Sequence, residues 1–145
     1  MESPTLRSEA VTAAAERSEP IVAPRLTRAI AGLLMLGVMV QAVMAGAFLA
    51  GRPRLRPIHA GIGHTLGLLG ILVLAVGIVG RFRTREPFSR LAARAALCLA
   101  TAFTIGAGEI ATLGTRDLLI LHIPLAIAIL GLADGLMRAA RKAAQ

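Results

Sequence analysis

Four long apolar runs, Ala29–Ala50, Ile58–Gly80, Ala95–Leu113 and Leu118–Met137, occupy most of the chain beyond its first two dozen residues. Each holds 19 to 23 residues. A bilayer core of ~30 Å takes about 20 helical residues at ~1.5 Å each. In hydrocarbon a backbone satisfies its own hydrogen bonds only as a helix or a closed barrel, and barrel strands alternate apolar with polar residues. These runs do not alternate, so they predict helices. Short first and third connections predict antiparallel pairs. The expected fold is all-α, an integral membrane up-down four-helix bundle of two antiparallel hairpins. It spans residues 25–142, with helices near 29–50, 58–80, 95–113 and 118–137.

Composition agrees with that class. Hydrophobic residues make up 56% of the chain, gathered in blocks as soluble domains do not gather them. The net charge of +8 would point to nucleic acid in a soluble protein. Here the arginines sit between the apolar runs, where membrane topology and anionic lipid account for them. The expected partner is therefore the lipid bilayer and not nucleic acid. Residues 1–24 mix Ser, Thr, Ala, Glu and Pro without apolar period, and read as a disordered cytoplasmic tail. The tail lacks the basic-then-apolar order of a signal peptide. Cys98 lies alone inside the third run and reads as a small apolar residue.

The arginines also set the expected orientation. Arg25, Arg28, Arg81, Arg83, Arg85, Arg90, Arg94, Arg138, Arg141 and Lys142 fall on one side of a four-span chain. Arg52, Arg54, Arg56 and Arg116 fall on the other. The richer side is expected in the cytoplasm, with both termini, in a bacterial plasma (inner) membrane.

Five polar residues inside or at the ends of the runs share one level of such a bundle. Gln41 and Glu109 precede the outer ends of the first and third helices, while His59, His64 and His122 follow the outer starts of the second and fourth. At ~1.5 Å per residue all five lie between the outer interface and ~14 Å below it. At ~100° per residue His59 shares a stripe with Gly63, Gly70 and Gly77. Small residues permit close helix approach, so this stripe is expected to face the interior. Gln41 with Gly37 and Ala45, Glu109 with Ala102 and Cys98, and His122 with Ala126 and Ala133 give the same expectation. His64 is about 140° round from His59 and fits least well. The two hairpins also look like a repeat, with Gln41 and Gly46 matched to Glu109 and Gly114. Asp117 is an expected N-cap of the fourth helix, Pro124 an expected bend, and Asp134 an expected partner of Arg138.

Several chemistries suit these residue types. Opposed imidazoles of His59 and His122 would hold haem b axially, with His64, Gln41 and Glu109 around it. Arg56 and Arg116, with Arg52 and Arg54, would meet its propionates. His59, His64, His122 and Glu109 are also acceptable ligands for a bare metal, and His with Glu could pass protons. The plainest alternative is an interhelical hydrogen-bond network in a cofactor-free structural or accessory protein. No nucleophile–base arrangement, phosphate loop or paired-cysteine motif supports an enzyme of those kinds. A larger membrane complex or a homodimer is compatible with all these readings.

The segments Val40-Gln41…Ala45-Gly46, Ile58-His59…Gly63 and Leu121-His122-Ile123-Pro124 give the chain a resemblance to a family of small four-helix bacterial membrane proteins of unknown function. It covers residues 28 to 138, and Glu109 stands where that family carries Gln. More distantly the chain is similar to one half of haem A synthase, a four-helix bundle with histidines on its second and fourth helices. That resemblance implies His59 and His122 as axial ligands. Cytochrome b561-type proteins are similar in architecture but use two histidine pairs.

Overall fold

The computed structural model describes residues 22–114 and 116–143. They form four long helices and no strand: α1 Val22–Leu49, α2 Arg56–Thr84, α3 Phe88–Thr112 and α4 Leu119–Lys142. All four are long and apolar enough to cross a membrane. Each helix packs on its sequence neighbours, and α1 packs on α4 to close the ring; the diagonal pairs α1/α3 and α2/α4 do not touch through their backbones.

Each helix outruns at one end or both the apolar run that predicted it; α1 and α3 stop one residue short of their runs at the C-terminal end, and α4 begins one residue inside its run. The runs mark an apolar stretch, whereas the hydrogen-bond ladder continues through flanking Ala and Arg, both good helix formers. It stops where backbone chemistry demands: at Gly51, at Pro53, at Pro87, and at Gly114. Helix α1 takes up the last three residues of the predicted tail, and residues 1–21 lie outside the described residues.

The connections inside the two hairpins are built alike. Leu49 and Thr112 end α1 and α3. Gly51 and Gly114 follow with φ of 92° and 114°, a region open to glycine at little cost. Single 3-10 turns at Pro53–Leu55 and Arg116–Leu118 come next, then α2 and α4 begin at Arg56 and Leu119. Every one of these pairs is 63 residues apart. The same spacing relates buried Leu34 to Leu97, Leu66 to Ile129, Gly70 to Ala133, Val73 to Leu136 and Gly77 to Ala140. The chain is thus two copies of one hairpin. Its register differs from the one expected from Gln41 and Glu109: Gln41 corresponds to Thr104, and Glu109 to Gly46. The expected match of Gly46 with Gly114 does not hold, because Gly46 is helical and the turn glycine is Gly51.

The interior is small-residue packing with a few large side chains set into it. Gly37 receives the Leu66 side chain, Gly67 receives Ile105, and at Gly70 a Cβ would stand 3.5 Å from the Cys98 Cα. Leu34, Val73 and Leu97 are fully buried. The large side chains mostly face outward: Val43, Leu49, Phe82, Phe88, Leu113 and Ile120 are each more than 70% exposed. Asp117 lies in the 3-10 turn, and Leu118 takes the N-cap position of α4 without any side-chain cap, so the expected Asp117 cap is not formed. A single turn of 3-10 helix occupies the residues where a cap would sit. Helix α4 runs on through Pro124. The expected pair of Asp134 and Arg138 is present at 2.6 Å.

Candidate functional site

His59 and His122 enter the interior from the diagonal helices α2 and α4. Their ring centres are 6.1 Å apart and their planes are tilted by 42°. Both imidazoles are partly buried. His122 donates from Nδ1 to the Thr104 carbonyl of α3 at 3.1 Å. His59 faces the main chain of Gln41 on α1, but its buried Nδ1 does not reach hydrogen-bond geometry with any partner. The two contacts follow the hairpin repeat: Thr104 is to Gln41 as His122 is to His59. In each hairpin the histidine of the second helix turns toward the main chain of the first. Phe48 meets His59 edge-on at 5.5 Å between ring centres.

Gln41 completes this end of the interior. Its Oε1 is buried and has no hydrogen-bond partner, and its Nε2 would stand 3.0 Å from a Cβ at Gly63. Gln41 and His59 therefore each leave one buried polar atom without a partner.

His64 and Glu109 are elsewhere. Glu109 was expected in the interior because it shares a helical face with Ala102 and Cys98. Cys98 on that face does pack on Gly70 of α2, but Ala102 and Glu109 are exposed. The inward side of α3 is carried instead by Arg94, Leu97, Thr101 and Ala107. His64 lies on the corresponding outer side of α2, donating from Nδ1 to the Ala60 carbonyl at 2.9 Å. Its Nε2 is 3.8 Å from Glu109 Oε1, and the two side chains are 59% and 54% exposed. The five expected residues thus divide into an interior set, His59, His122 and Gln41, and an outer pair. Among the described residues no group of three or more His, Cys, Asp and Glu gathers as a metal site, so the four-ligand bare-metal arrangement is not formed. Arg52, Arg54 and Arg56 are exposed at this end of the bundle, and the Arg116 side chain lies outside the description.

A second polar cluster, not expected from the sequence, lies at the opposite end. Arg94, 4% exposed, binds Glu86 through Nη1 at 2.5 Å and Thr27 through Nη2 at 3.3 Å. Arg90 stands 3.8 Å from the same carboxylate. Gly77 and Gly80 provide the room: a Cβ at Gly77 would lie 2.5 Å from Arg94 Cδ, and one at Gly80 would lie 3.0 Å from Glu86 Oε2. Arg94 was read only as a loop charge. Its spacing of three and seven residues from Leu97 and Thr101 was the available signal, because it puts the guanidinium stem on the buried side of α3.

Comparison with family models, with curated proteins and with solved structures gives no match.

Proposed function

We propose that the chain is a multi-pass membrane protein whose two hairpins hold haem b between His59 and His122. The reading rests on one observation: two repeat-related imidazoles oppose each other across the interior at 6.1 Å. Two imidazoles bound to one metal from opposite sides, with bonds of ~2.0–2.1 Å, put their ring centres roughly 6.3 Å apart. Ligating histidines ordinarily give their other ring nitrogen to a carbonyl or carboxylate, which fixes the ring. The Thr104 carbonyl does this for His122. Gln41, whose amide oxygen lacks a partner, would border the macrocycle. Its amide Nε2 now lies beside Gly63. The bound iron would supply one-electron transfer, or the site would serve to handle haem. His59 and His122 would hold the iron, and Phe48 and the packed glycines would keep water from it.

Membrane insertion is part of the same proposal. It is supported by four helices of sufficient length and by an outer surface of large apolar side chains. The alternation of helix direction is supported by contacts at both ends: the start of α2 meets the later part of α1, and the start of α3 meets the start of α1 through Arg94 and Thr27. The ten-to-four distribution of Arg and Lys supports a cytoplasmic position for both termini, with His59 and His122 toward the outer surface.

A cofactor-free bundle is the second reading, favoured by the Gln41 amide lying in the space beside Gly63. Haem quantitation separates the two. Purified from membranes of cells supplied with haem precursor, the protein is expected to carry up to one haem b per chain. A preparation that is folded and helical but has no Soret absorption would rule out the haem reading and leave the network.

A further inference from the structure

His64 and Glu109 have no counterpart in the repeat: Ile127 and Gly46 stand at the equivalent positions. They are an addition to one face of the α2/α3 pair, and the interior site does not use them. Measured from the midpoints of Pro53–Thr84 and Phe88–Thr112, they lie between ~7 and ~14 Å toward the histidine end, within the ~15 Å half-thickness of a bilayer core. Ionisable groups at such depth ordinarily face protein or a water-filled cavity. Both are more than half exposed here. At 3.8 Å they are also too far apart to hydrogen bond, so the carboxylate and the histidine Nε2 retain free capacity.

We propose that this face is the seam of a two-fold dimer, in which His64 of each copy meets Glu109 of the other. The proposal rests on the membrane reading and not on haem. The partner is a second copy because the pair is self-complementary. Rotation about an axis along the membrane normal sets α2 of one copy opposite α3 of the other at unchanged depth. Histidine then faces carboxylate twice, which is the isologous pattern of a two-fold interface. The surface beside Glu109 also admits a helix closely: Ala102 is exposed, and a Cβ at Gly106 would meet nothing within 4 Å. Two small residues at four-residue spacing are the usual means of tight helix contact in lipid.

The test uses the full chain in vesicles of phosphatidylethanolamine and phosphatidylglycerol, with stoichiometry read by single-molecule photobleaching. Wild type is expected to be dimeric. His64→Glu places carboxylates on both sides of the seam and Glu109→His places imidazoles on both, so each variant alone is expected to lose at least tenfold in dimer affinity. Mixed, the two variants are expected to pair with each other. The double swap His64→Glu/Glu109→His is expected to dimerise by itself, which shows that the single variants did not fail by misfolding. A membrane-embedded wild-type monomer would overturn the seam alone, as would a dimer indifferent to both single changes or one formed with an unrelated membrane protein. A wild-type chain found in the soluble fraction would overturn the membrane reading and the seam with it.

Discussion

The two ends of the bundle handle buried polarity in opposite ways. At the far end a full positive charge, Arg94, is enclosed and met by Glu86 and Thr27, leaving only its Nε without a partner. At the histidine end the groups are uncharged or chargeable only by protonation, yet Gln41 and His59 leave two atoms unmet. A charge cannot be buried without a partner, so the far end had to be closed by the chain itself. The histidine end keeps hydrogen-bonding capacity that its own side chains do not use. The difference separates a charged cluster closed by its own partners from an uncharged one that is not.

The largest effect expected from breaking this contrast is on haem content. His59→Ala or His122→Ala should each abolish stable haem binding, whereas His64→Ala should leave haem content unchanged, as measured by pyridine haemochrome assay. Equal loss in all three would mean that the outer and interior histidines do not divide as described. Next comes the far end. Glu86→Ala strands the buried Arg94 guanidinium and should cost ~3–5 kcal/mol of stability, most of it recovered when Arg94→Leu is added. Thermal unfolding in detergent, followed by circular dichroism, reads both. If Glu86→Ala unfolds at the wild-type temperature, the cluster is not what closes that end.

The glycine stripe sharpens the comparison at finer scale. Gly77→Ala would press on Arg94 Cδ, which is held by its ion pair, and should cost ~1–3 kcal/mol. Gly63→Ala would press only on the tip of the Gln41 side chain, which no hydrogen bond holds, and should cost less than ~1 kcal/mol. The reverse order in the same unfolding experiment would contradict the distinction. The smallest effect is on the outside. Asp134→Ala removes a partly exposed pair with Arg138, four residues on, and should change stability by no more than ~0.5 kcal/mol.

Much of this was legible in the chain. Runs of about twenty apolar residues specify helices of membrane length whatever else is true, because the backbone has few other ways to satisfy itself in lipid. The His59–Gly63–Gly70–Gly77 stripe was legible for a similar reason, since small residues at seven-residue spacing turn a helix face inward. Three features were not. Glu109 shares a face with Ala102, but alanine is as compatible with a lipid-facing or dimer-facing surface as with the interior, so spacing alone could not tell inside from outside. The repeat register was hidden because the polar residues that invite alignment, Gln41 and Glu109, are not the equivalent ones. The turn glycines with positive φ, Gly51 and Gly114, are. Arg94 was lost in a run of arginines whose number suggested topology, although only its position relative to Leu97 and Thr101 placed it in the core.

The opposed imidazoles are tested most directly by electron paramagnetic resonance on the oxidised wild-type protein beside His122→Ala supplied with excess haem. Ligation by His59 and His122 predicts a low-spin ferric signal of the bis-imidazole kind in wild type, replaced by a high-spin signal or by no bound haem in the variant. A wild-type protein that binds haem with the same spectrum as His122→Ala, or binds none at all, would contradict the assignment.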